Sequence, residues 1–161
     1  MYGKALVAIE LGSDPARQVL TRACEFAALS LPGKAALRVV HVVEPQYVQY
    51  SFDPTFTGSL TRAMEQEAIA TAARRVAELC EPFAIPPAHQ AVLLGRAADR
   101  LQQQARSEGC DLIIIGSHGR EGLRALLGST ATAALHGAPV DVMTVRIRKA
   151  GAAHSASSEA P

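Results

Sequence analysis

The chain has 161 residues, 48% of them hydrophobic but only 4% aromatic and none tryptophan, and its formal net charge is +1. That length suits one domain with a sizeable core, which this composition requires to be aliphatic. Near-neutrality argues against a nucleic-acid binder working by bulk electrostatics, and no segment approaches the roughly eighteen continuous apolar residues of a membrane span.

Residues 4–11 (KALVAIEL) form a short apolar run and read as a buried strand. Met1, Tyr2, Gly3 and Lys4 lead straight into it without signal-peptide architecture, which points to the cytoplasm. Gly12, Ser13, Asp14 and Pro15 supply turn chemistry: Ser13 or Asp14 suits a helix cap and Pro15 the first helical position. That helix runs to about Leu29, where Pro32 and Gly33 end it. Residues 36–43 (ALRVVHVV) are the second strand. The stretch 46–58 holds Tyr47, Tyr50, Phe52 and Phe56 and is too long for a plain connection, so it reads as a functional lid or a variable insert. From Ser59 a long helix carries Leu60, Met64, Ala68, Ala72, Val76 and Leu79 near one face, and Glu81-Pro82 ends it.

Residues 89–94 are the third strand, and 95–107 a short helix with Ala98, Leu101 and Ala105 inward and Gly109 closing it. Residues 111–115 form a fourth strand whose unbroken apolar character suits a sheet covered on both faces. Residues 129–135 are a last helix and 140–147 (VDVMTVRI) a fifth strand. Five strands alternating with four helices predict a single-domain α/β fold, a parallel doubly wound sheet over residues 1–148, followed by a disordered tail at 149–161. Cys24, Cys80 and Cys110 form no CxxC pair and read as small core hydrophobes of a reducing compartment.

The functional signal is the segment LIIIGSHGREGLRALLGS, residues 112–129. A buried strand feeding a glycine-rich loop feeding a helix start is a physical recipe for holding phosphate: glycine lets backbone approach a ligand, and free helix N–H groups attract anions. Common glycine motifs do not fit. No lysine follows these glycines as in a P-loop, Gly116 and Gly119 give GxxG after the fourth strand rather than GxGxxG after the first, and a nucleic-acid-clamping GxxG does not leave a buried strand in a chain that is not basic. The alternative is that these glycines serve only tight turns, as Gly122 does.

G-x-x-G, eight residues, then G-S resembles the universal stress protein family, whose nucleotide-binding members carry G-x-x-G, usually nine residues, then G-Ser/Thr at this place. The resemblance covers nearly all of residues 4–148, including LVAIEL, HVV, DLIIIGSHGR and PVDVMTVR. It implies an α/β fold similar to adenine nucleotide alpha hydrolases, a homodimer paired through the last strand (140–147), and binding of ATP or a related adenine nucleotide, with Mg²⁺ as an accompanying ion. It implies a stress or signalling module and no catalytic residues. Carried over by position, it places Gly116, Gly119, Gly128, Ser129 and Thr130 around ribose and phosphates, Val42 against adenine, and Glu10 with its neighbour Ala8 near the base. Arg120 or Arg124 adds charge, and His118 a positioning hydrogen bond.

Three departures stand beside it: the spacer of eight, Glu10 where aspartate is usual, and Gly95-Arg96-Ala97 where the family often has glycine-x-proline. The short spacer and the aromatic stretch are similar to the branch of the family that does not bind ATP, so a nucleotide-free dimeric interaction protein is the second expectation. His41 reads as a satisfied structural histidine. His89, His136 and His154 lack metal-ligand spacing, and no nucleophile–base or two-carboxylate site is legible.

Overall fold

The computed structural model describes residues 1–33, 36–45, 58–118 and 136–148. Strand β1 is Ala5–Ala8 and α1 is Ser13–Ser30; β2 is Leu37–Val43 and α2 is Gly58–Cys80; β3 is Gln90–Leu94 and α3 is Ala97–Glu108; β4 is Leu112–His118 and β5 is Asp141–Ile147. Two short 3₁₀ turns, Glu81–Phe83 and Pro87–His89, join α2 to β3. The strands form one parallel sheet in the order β3-β2-β1-β4-β5. The expected doubly wound sheet is therefore present. Three helices occur among the described residues. The fourth expected helix (129–135), the aromatic stretch expected at 46–58 apart from Gly58, which opens α2, and the tail (149–161) lie outside them.

Alternation along each strand sends side chains to two cores. On one face Ala5, Val7, Val39 and Ile114 pack with Ala16, Leu20, Ala23 and Ala27 of α1 and Val76, Leu79 and Cys80 of α2. On the other, Leu6, Val40, Ile113 and Ile115 pack with Leu101 and Ala105 of α3. Burial pushes the Cys80 and Cys110 thiols up to about 11, in keeping with their reading as packing residues.

Three boundaries and the burial of one helix face differ from expectation. β1 stops at Ala8, although the Ile9 amide still donates to the Val40 carbonyl at 3.0 Å. α1 begins at Ser13, with Gly12 as an extended N-cap whose carbonyl accepts from Ala16; no side chain caps it. β4 continues past Gly116 to His118, because β5 stays in register beside it through Ile147. In α2, Ala72, Val76 and Leu79 are buried as expected, but Met64 is 55% exposed and Ala68 is also exposed. The amino-terminal part of the apolar stripe thus lines a groove rather than the core.

The amino edge of the sheet is fastened by charge. The Asp111 carboxylate accepts from the backbone amides of Gly3 at 2.7 Å and Lys4 at 3.0 Å, while the Lys4 ammonium donates to the Glu108 carbonyl at 2.7 Å. The Tyr2 hydroxyl donates to Asp141 at 2.8 Å, tying the entry of β5 to the chain start. The Gly3 amide above all, with that of Lys4, holds the Asp111 carboxyl below its ordinary value of 3.8. A lowered folded-state value contributes stability that is complete above the unfolded value and lost as pH falls through the folded one. Asp111→Asn is expected to lower the melting temperature at pH 7 and to flatten the loss of stability below about pH 4, measured by thermal melts over a pH series.

Candidate functional site

From β1 the chain crosses to β2 on one side; from β4 it crosses to β5 on the other. Such a reversal opens a crevice at the carboxyl ends of the two neighbouring strands, where open α/β sheets take ligands. Here that position falls between the ends of β1 and β4. Ala8 closes β1, paired with Val40 on one side and Ile115 on the other. Ala8 and Val42 both border the α3-side core. Glu10 is exposed just beyond β1. These three expected residues are therefore brought to one rim.

Gly116 is a different case. A Cβ built there meets Ile147 Cδ1 at 2.6 Å and Val19 Cγ2 at 3.0 Å. Its missing side chain makes room for β5 and α1, on the face opposite Val42, so packing explains this glycine. His118 is the last residue of β4 rather than part of a loop. Gly119, Arg120, Gly128, Ser129 and Thr130 lie outside the described residues.

Two polar contacts at this edge carry no local sequence signal. Arg96, the N-cap of α3, makes no side-chain cap. Instead the Glu44 carboxylate, just past β2, accepts from the Ala97 amide at 2.7 Å. A carboxylate on a helix N-terminus is favoured by both the unpaired N–H groups and the helix dipole. The Gln18 side chain in α1 behaves as an extra strand residue. Its amide nitrogen donates to the Arg148 carbonyl and its oxygen accepts from the Arg148 amide, both at 2.8 Å, which holds the exit of β5 against α1. The Gly95 amide donates to the Val43 carbonyl at 3.0 Å, and its φ of +137° is a conformation that glycine tolerates. His41 Nδ1 lies 2.9 Å from the Ile9 carbonyl, in keeping with a structural role.

On the α1–α2 face, the lifted start of α2 leaves an open groove of about 710 Å³, lined by Leu11, His41, Val43, Met64 and Ala68 among others. It is separated by the sheet from Ala8 and Val42. No group of three or more metal-ligating side chains occurs among the described residues, and no described helix is long and apolar enough to cross a membrane.

The Universal stress protein family model matches residues 1–146. Universal stress protein A homolog 2 of Coxiella burnetii is 37% identical over 147 residues, covering 91% of this chain and 97% of that protein. Among solved structures, a universal stress protein in complex with cAMP superposes with a TM-score of 0.60 at 20% identity, covering 91% of this chain and 98% of the other. The universal stress protein from Archaeoglobus fulgidus in complex with dAMP gives 0.52 at 20%, covering 89% and 98%.

The geometry of this edge predicts two stability effects. Gly116→Ala must displace Ile147 and is expected to cost about 1–3 kcal/mol, as overpacking does. Glu44→Ala removes the cap of α3 and is expected to cost about 0.5–2 kcal/mol. Urea titrations of both variants check these values.

Proposed function

The chain belongs to the universal stress protein family, and from that premise we propose that it binds ATP or a related adenine nucleotide at the carboxyl edge between β1 and β4. The observation that carries the reading is the reversal of crossover direction there, with Ala8 paired to both Val40 and Ile115, Glu10 just beyond it and Val42 on the neighbouring strand β2. The G-x-x-G, eight residues, G-S motif leaves the sheet from that same strand end. The solved relatives bound to cAMP and dAMP support an adenine nucleotide as the ligand class.

In this reading Val42 supplies apolar contact for the base, and the Glu10 carboxylate accepts from an amino or hydroxyl group of the ligand. The backbone of Gly116, Gly119 and Gly128 approaches ribose and phosphate; Ser129 and Thr130 donate to phosphate, and Arg120 and His118 contribute charge and a hydrogen bond. Mg²⁺ accompanies the phosphates. The protein acts in the cytoplasm as a regulatory stress or signalling module rather than as a catalyst. It is a homodimer, for which the open edge of β5 offers a strand-pairing surface.

One observation favours a second reading, a nucleotide-free dimeric interaction protein: packing alone accounts for Gly116. Equilibrium dialysis with labelled ATP decides between them. The nucleotide reading expects saturable retention, strengthened by Mg²⁺ and competed by AMP. No retention at millimolar nucleotide, with or without Mg²⁺, leaves the interaction protein.

A further inference from the structure

Strand register lines up four residues across the carboxyl edge. Ala8 is level with Val40 on β2 and with Ile115 on β4, and Ile115 is level with Thr144 on β5. Two residues further along each chain stand Val42, Glu10, Ser117 and Arg146, and the pairing of Ser117 with Arg146 is direct. Side chains two apart in a strand share a face. Val42 and Ile115 lie on the α3 side, while Val145 and Ile147 turn to the α1 side. Ser117 and Arg146 therefore share the face of Val42 and Ala8, not that of Gly116 and the open groove.

The row reads apolar, acidic, hydroxyl, basic. At about 4.8 Å per strand it spans about 14 Å. Ser117 is the one buried polar residue among the described residues, at 8% exposure. Arg146 is exposed, and among the described residues it has no carboxylate within ion-pair distance. At the other end of the rim the anion position is already filled, because the Glu44 carboxylate sits on the start of α3. Acidic groups (Glu10, Glu44) thus gather on the β1–β2 side, where Arg96 is paired with Asp99 at 3.6 Å, and Arg146 stands on β5.

We propose that Arg146 is a specificity-determining residue that holds the terminal phosphates of a nucleotide lying across this row, with its base on Val42. The proposal rests on the nucleotide reading above. Glu10 and Glu44 repel phosphate from the β2 end, and Arg146 attracts it to the β5 end, so the edge fixes the ligand's direction and favours more highly phosphorylated forms. Pairing through the outer edge of β5 uses backbone groups and leaves the faces of that strand in place.

The test is calorimetric binding of ATP, AMP and adenosine to the full chain, its Arg146→Gln variant and its Arg146→Lys variant, each checked by thermal melting. A charge-assisted contact predicts that Arg146→Gln weakens ATP about tenfold or more while adenosine changes less than about twofold, and that Arg146→Lys recovers much of the ATP affinity. ATP affinity unchanged in Arg146→Gln, or lost equally for ATP and adenosine, overturns the role of Arg146 and leaves nucleotide binding standing. Absence of binding by the unaltered chain overturns both.

Discussion

The double pairing of β1 is the constraint on which the carboxyl edge depends. This four-residue strand is bonded to β2 on one side and β4 on the other, and Ala5, Leu6 and Val7 are fully buried. Its side chains are small to medium, so helices approach both faces. The crossovers leave β1 and β4 in opposite directions, the arrangement at which open α/β sheets take ligands between strand ends. A register slip of one residue there would exchange the two faces of β1. It would also separate Ala8 from the side that Val42 and Ser117 share.

Polar contacts at the two ends of the sheet serve different purposes. At the amino edge, Asp111, Lys4 and Tyr2 close the structure on itself, using one carboxylate for two backbone amides. At the carboxyl edge, Glu44 and Gln18 satisfy backbone groups near strand ends without covering the crevice. They brace a rim whose remaining groups, Glu10, Ser117 and Arg146, face outward or lie beside it.

The sheet, its parallel sense and three helices are legible in the sequence because hydrophobic periodicity and the Gly/Pro punctuation agree. The end of β4 is not. Gly116 reads locally as a stop, and only the presence of Ile147 across the strand pair shows it to be a packing glycine inside the strand. The start of α2 misleads in the opposite way. Met64 continues an apolar stripe that pattern alone assigns to the core, yet it is exposed at the groove it lines with His41 and Val43. Glu44, Gln18 and Asp111 act on partners 53, 130 and 108 residues away, so no local pattern marks them. Arg146 escapes for the same reason: its neighbour Ser117 is set by register rather than by spacing. Ala8, Glu10 and Val42 are legible from sequence as positions at or just past strand ends, because apolar runs and the turn residues after them mark where β1 and β2 stop.

Backbone amide chemical shifts during an AMP titration report where the proposed nucleotide sits. Binding at the carboxyl edge moves Ile9, Glu10, Val42 and Val43 and Ser117 and His118 most, with Met64 to Thr71 unmoved. Changes confined to Met64, Ala68 and Thr71 would place the ligand in the groove on the opposite face and contradict that placement.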